Sequence, residues 1–228
     1  MKGTMIQFAS HADGATYEGY LAKPDSGEGP GIIVIQEWWG LVNHIKDLAD
    51  RFAAEGFTAL APDLYGGKVA TEPDEAGKLM MSLDIAEAER ILSLAIRRLL
   101  DDEATTSASV GVVGFCMGGQ LALFAAGANP AVTACVDFYG IHPNVHPSYS
   151  NFVGPVLGIF AERDNSASPA AVASLAAELD AVGKQHEFIT YPGTDHAFFN
   201  DARPEVYNAA ASKDAWARVL GFLREHVL

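Results

Sequence analysis

Short, unbroken apolar runs recur along the chain, and most give way to stretches with helical spacing. GIIVIQ at 31–36 is followed by Ile45, Leu48, Ala49 and Phe52 at intervals of three and four. FTALA at 57–61, VGVVGF at 110–115, VTACVDF at 132–138, PVLGIF at 155–160 and HEFITY at 186–191 repeat the theme. Runs this short and continuous are strands, and most have the pattern of strands covered on both faces. Helices are expected after Asn43, read as a cap, up to Gly56. Others are expected over 84–100, 118–126, 169–182 and 207–227, the last with Trp216, Leu220 and Leu223 on one face. The segments 4–9 and 16–23 flank His11-Ala12-Asp13-Gly14 and read as an opening hairpin. Residues 65–76, rich in Gly, Lys and Glu, read as a loop. Strands alternating with helices define an α/β fold, with a mainly parallel central sheet and helices on both faces. A length of 228 residues suits a single such domain over 1–228.

A sheet of this kind binds ligands beyond the carboxyl ends of its strands. Four strand ends carry reactive side chains: Glu37 and Trp38, Cys116, Asp164, and His196. Cys116 lies in VVGFCMGGQ, a strand running into a small-residue helix, with Gly114 and Gly118 two positions away on either side. A nucleophile on such a corner needs neighbours almost free of side chain. It stands at a helix N-terminus, where negative charge on sulfur is favoured, and the N–H of Met117 points toward a developing oxyanion. Cys135, among strand residues without flanking glycines, reads as core.

An acid and a base follow the thiol in the chain order of α/β-hydrolases. The AERD segment offers carboxylates at Glu162 and Asp164, and YPGTDH ends on His196. Such a histidine exchanges a proton with thiol and leaving group, while the acid fixes its tautomer. Asp195 reads as a loop-shaping residue, and His11, His44, His186 and His226 as ordinary surface residues. His142 and His146 have an H-x3-H spacing, but Pro143 and Pro147 make that segment a loop with no third ligand evident. No metal or cofactor is expected, since neither a phosphate loop nor a dinucleotide fingerprint is present.

The formal charge of −14 argues against nucleic acid as a partner. No apolar run approaches the roughly 20 residues that span a bilayer, and the first residues do not read as a signal peptide. Two cysteines without a stapling pattern suit a reduced, cytoplasmic setting.

QEWWG at 36–40, PDLYGG at 62–67, GFCMGG at 114–119, AERD ending at 164 and YPGTDHAFFN at 191–200 together make the chain resemble the dienelactone hydrolase family of α/β-hydrolases. The resemblance implies a Cys116–His196–Asp164 triad, a thioester acyl-enzyme, and an oxyanion hole from the N–H groups of Trp38 and Met117. It also implies that Glu37 is an active-site glutamate. In the resting state it is associated with the cysteine and keeps the thiol largely neutral, and substrate displaces it. Trp39, Phe115, Tyr139, Phe198, Asn200 and Arg203 are candidate substrate contacts.

Where the family's best-known members hold a substrate carboxylate with two arginines, this chain has Asn200 and the neighbourhood of Pro73. Aromatic residues expected nearby are replaced by Gly77 and Met80, and Lys68, Lys78 and Arg203 are the cations that could substitute. The expected activity is therefore hydrolysis of a small, less anionic ester or lactone. The alternative is a thiol-based ligand sensor using the same pocket without hydrolysis.

Overall fold

The structure, a computed structural model, describes residues 3–10 and 12–227. The strands are β1 (Thr4–Ala9), β2 (Thr16–Ala22), β3 (Gly29–Ile35), β4 (Thr58–Pro62), β5 (Thr105–Phe115), β6 (Val132–Phe138), β7 (Val156–Ala161) and β8 (His186–Tyr191). They form one sheet in the order β1-β2-β4-β3-β5-β6-β7-β8. β1, β2 and β4 pair antiparallel, and every pair from β4 through β8 is parallel. The chain leaves β3 toward β4 on one side and returns to β5 on the other. Strand order therefore reverses at β3 and β5, and the crevice above that point is where such sheets place ligands.

The helices are α1 (Asn43–Ala54), α2 (Pro73–Met81), α3 (Ile85–Leu100), α4 (Met117–Ala128), α5 (Pro169–Ala181) and α6 (Ala209–His226). Alternation along the strands divides the core in two. Ile32 and Val34 of β3 pack with Ile45, Leu48 and Phe52 of α1 and with Val219 and Leu223 of α6. Ile33 and Ile35 face the other way, toward Ile91, Leu92 and Ile96 of α3 and Leu121 of α4. This period of two on a sheet sandwiched by helices explains why the strands read as unbroken apolar runs. Trp216 lies half-buried on α6 against Phe52 and Phe199, beside the buried Leu220 and Leu223.

Several expectations are corrected. The segment read as a loop up to residue 76 already contains the first turn of α2, because Pro73 starts that helix rather than breaking it. Asn43 does not cap α1. Val42 occupies the cap position, no side-chain cap bond forms, and Asn43 is already helical. Strand β5 begins at Thr105, its polar first half alternating at the sheet's end. α6 begins at Ala209 with Asn208 as its cap, Oδ1 accepting from the N–H of Ala211. His44 is buried against Asp201 rather than at the surface. His11 lies outside the described residues. No helix among them is long and apolar enough to cross a membrane.

Candidate active site

The turn between β5 and α4 is held in an uncommon conformation. Cys116 has φ 54° and ψ −120°, a region that residues other than glycine seldom enter. Its N–H donates to the Phe138 carbonyl, and its own carbonyl accepts from Gly119 and Ile141. The glycines on either side are sterically required. A Cβ on Gly114 would lie 1.8 Å from the Gly118 carbonyl oxygen, and one on Gly118 would lie 2.5 Å from the carbonyls of Ile35 and Gln36. The corner lifts Cys116 to the top of the sheet, and Met117 begins α4 with an N–H that has no acceptor within the helix.

His196 follows β8 and faces two partners. Its Nδ1 stands 2.6 Å from Asp164 Oδ2, and the Cys116 side chain is near enough to the ring to favour its charged form. Burial opposes a charge on the imidazole, but its hydrogen bond to Asp164 and the nearby Cys116 prevail and raise its pKa to about 10. The other Asp164 oxygen accepts from the backbone N–H groups of Ser166, at 2.7 Å, and Ala167, at 3.0 Å. Of the two carboxylates in that segment, Asp164 is therefore the one joined to His196. Glu162 is exposed and accepts from the N–H of Gly193, and Asp195 pairs with Arg163.

Glu37 follows β3 and is 2% exposed. The resemblance implies that it rests against the cysteine, whereas the structure pairs it with Asn200, whose Nδ2 donates to Glu37 Oε2 at 2.8 Å. Asn200 is oriented by its own Oδ1, which accepts from the N–H of Ala202. Burial raises the Glu37 carboxyl above the ordinary range, against the opposing pull of His196, Asn200 and Arg203. Glu37, Trp38, Trp39, Cys116, His196 and Arg203 line one cavity of about 120 Å³, completed by residues that include Met80, Ile141 and Ser166. The Trp38 and Trp39 rings meet edge to face, and the Arg203 guanidinium lies over Trp39.

Other candidates fall elsewhere. Phe115 and Phe198 are core residues, Phe115 stacked on Phe138 and Phe199, and Phe198 against Tyr139 and Tyr191. Tyr139 is fully buried with φ 43°, its ring 5.0 Å from that of His196, so it braces the base from below. Lys68 and Lys78 are exposed and outside the cavity lining, which leaves Arg203 as the cation at its wall. Cys135 is buried, and burial pushes its thiol well up. Both His142 nitrogens are engaged, Nε2 with the Met80 carbonyl and Nδ1 accepting from the N–H of Asn144, so the ring is neutral. No cluster among the described residues suits a metal ion. Sequence reasoning missed Ile141 and Ser166 as cavity-lining residues, since neither residue type carries a chemical signal.

Behind the elbow, Asp137 is fully buried at the end of β6. Its Oδ1 accepts from Gly140 at 2.6 Å, and Oδ2 has no partner among the described residues. Burial pushes this carboxyl up to about 7, against the opposing pull of the Gly140 N–H and His196. A folded-state value above the unfolded one of about 3.9 means that this group stabilises the fold at low pH. That contribution is lost as pH rises toward 7 and beyond. Asp137→Asn is uncharged throughout, so its stability relative to wild type should improve between pH 4 and 8, by up to about 4 kcal/mol. Urea midpoints across that range check this, and parallel pH profiles for the two proteins would contradict it.

A model of the dienelactone hydrolase family matches residues 17–227. The chain is 38% identical over 232 residues to "Protein usf" of Aquifex pyrophilus, covering 99% of each chain. It is 33% identical over 232 residues to the "Putative carboxymethylenebutenolidase" of Aquifex aeolicus, again covering 99% of each. The crystal structure of a "Putative Dienelactone Hydrolase" from Klebsiella pneumoniae superposes with a TM-score of 0.86 at 28% identity, covering 98% of this chain and 99% of that one.

Proposed function

The chain belongs to the dienelactone hydrolase family and is a hydrolase of esters or lactones, and from that premise we propose that it turns over small substrates through a thioester on Cys116. The observation that supports this best is the strained Cys116 corner facing a histidine whose far nitrogen is held by a buried Asp164. The sulfur attacks the substrate carbonyl carbon, and the oxyanion forms between the N–H groups of Met117 and Trp38. The tetrahedral intermediate collapses with cleavage of the carbon–oxygen bond, and the His196 imidazolium gives its proton to the departing alkoxide. Neutral His196 then takes a proton from water, whose oxygen attacks the thioester carbonyl. Release of the carboxylic acid returns the sulfur and the protonated ring. Asp164 holds the ring in the tautomer that serves both steps. The cavity of about 120 Å³ suits a short acyl ester or a small lactone. A thiol chemistry of this kind fits a reducing compartment such as the cytoplasm. Family membership makes this reading preferable to that of a thiol sensor without hydrolysis.

A panel of short-chain aryl esters and small lactones, each assayed with and without iodoacetamide pretreatment, tests the proposal. Turnover of at least one member, lost on alkylation of Cys116, is the expected result. Turnover that survives complete alkylation of Cys116 would overturn it.

Glu37 is proposed to modulate the sulfur through its own charge. An anion in this cavity opposes a second negative charge on Cys116. Glu37→Gln keeps an acceptor for Asn200 and removes the titratable proton. Wild type and variant should be labelled by iodoacetamide at similar rates at acid pH, where the carboxyl is neutral. The variant should be faster at alkaline pH, by up to roughly tenfold if the anion is worth one pH unit. Cys135, buried and held as a thiol, stays silent. Rates that run parallel at every pH would remove Glu37 from this role.

A further inference from the structure

The loop after β6 separates two cavities. Ile141 lines the catalytic cavity of about 120 Å³ on one side and a larger one of about 330 Å³ on the other. The partition continues through Ser166, which faces the first cavity, and Ala167, which faces the second. It is built from groups already fixed by the catalytic residues. The Ile141 N–H donates to the Cys116 carbonyl, and the Ser166 and Ala167 N–H groups donate to Asp164. His142 ties the same loop to α2 through the Met80 carbonyl.

The larger cavity is lined by apolar side chains together with polar ones, Gln120, His146, Tyr149 and Ser174 among them. Val145, Phe160 and Ala167 are buried, and Val172 and Leu175 project into it from α5 one turn apart. Its charged residue, Glu178, is exposed, and an acidic group there disfavours an anionic occupant. The catalytic cavity equals about four waters' share of liquid volume, enough for an acetyl group or a small lactone ring. A longer chain on the ester must leave it, and the adjoining space shares the Ile141 side chain with it as a wall.

We propose that the cavity beyond Ile141 is a second substrate compartment that takes an unbranched alkyl chain carried by the ester. This deepens the thioester reading and makes Ile141, Val172 and Leu175 determinants of chain length. Each methylene seated there should raise kcat/KM by roughly fourfold, since burying one is worth about 0.8 kcal/mol.

The test measures kcat/KM for aryl acetate, butanoate, hexanoate and octanoate. A parallel series of acetates of ethanol through octanol distinguishes a chain on the acyl side from one on the alcohol side. In wild type the octyl-to-short ratio should exceed one in one of the two series. Leu175→Trp and Val172→Phe fill the compartment from half-buried helix positions and should each lower that ratio by tenfold or more. Ile141→Ala, which thins the partition at the residue common to both cavities, should raise it. Ratios below one in both series, or ratios unmoved by both filling variants, overturn the proposal. A second arm needs no turnover: Cys116 is labelled with iodoacetamides bearing N-alkyl chains of the same lengths. A rate advantage for the long chain that disappears in Leu175→Trp supports the compartment even if no ester is hydrolysed. The same rate for every chain length in wild type counts against the compartment while leaving the ester reading intact.

Discussion

Replacing Cys116 with alanine should lower ester turnover by roughly 10⁴-fold or more, to a residue supplied by the oxyanion donors alone. The loss is this large because no second nucleophile is placed to take over. Cys135 is buried in β6 with its thiol held protonated, and the one hydroxyl among the other cavity-lining side chains, that of Ser166, lies in the loop between β7 and α5 rather than on the corner before α4. The fold should survive, since the corner is shaped by Gly114 and Gly118 and by backbone hydrogen bonds that alanine keeps. A Tm within a few degrees of wild type, together with the loss of activity, is the expected pair of results. Turnover within tenfold of wild type would remove Cys116 from the mechanism.

Asp164→Asn should lower kcat by roughly 10³–10⁴-fold, and the hydrogen bonds explain why a nearly isosteric change costs so much. The N–H groups of Ser166 and Ala167 both donate to Asp164 Oδ1. An asparagine must keep its oxygen there and present its NH₂ to His196. His196 Nδ1 then meets a donor, so the ring proton moves to Nε2 and the nitrogen facing the sulfur can no longer accept. The imidazole, held at about 10 with Asp164 as its strongest supporting partner, should also titrate much closer to 6.5. A pH titration of the His196 ring by NMR and the pH profile of kcat read the two consequences separately. If Asp164→Asn is nearly harmless while Glu162→Gln is crippling, the acid is Glu162 and the assignment is wrong.

Much of this arrangement is legible in the sequence because it rests on local chemistry. Gly114-x-Cys116-x-Gly118 after an apolar run requires a tight strand-to-helix corner, and the structure has one. Asp164 and His196 are found because each lies in the loop just after a strand. What is not legible depends on contacts between distant segments or on reading a local signal the wrong way. Residues 65–76 look like a loop, yet Pro73 starts α2, which brings Met80 to the cavity. Asn43 is a favoured cap type, but its backbone is already helical. Phe115 ends β5 and Phe198 lies in the loop after β8, places where substrate contacts are common, and the packing of other aromatic rings draws them into the core. Asn200 reaches Glu37 across 163 residues of chain, and no spacing rule announces such a pair.

The account rests on acyl transfer to the Cys116 sulfur, and the acyl-enzyme can be observed directly. Protein mixed with an aryl acetate is quenched in acid during turnover, digested and examined by mass spectrometry. The prediction is one acetyl group on the peptide that contains Cys116, released by hydroxylamine and absent from Cys116→Ala. An acetyl group found only elsewhere, or steady turnover by Cys116→Ala with no adduct on that peptide, would contradict it.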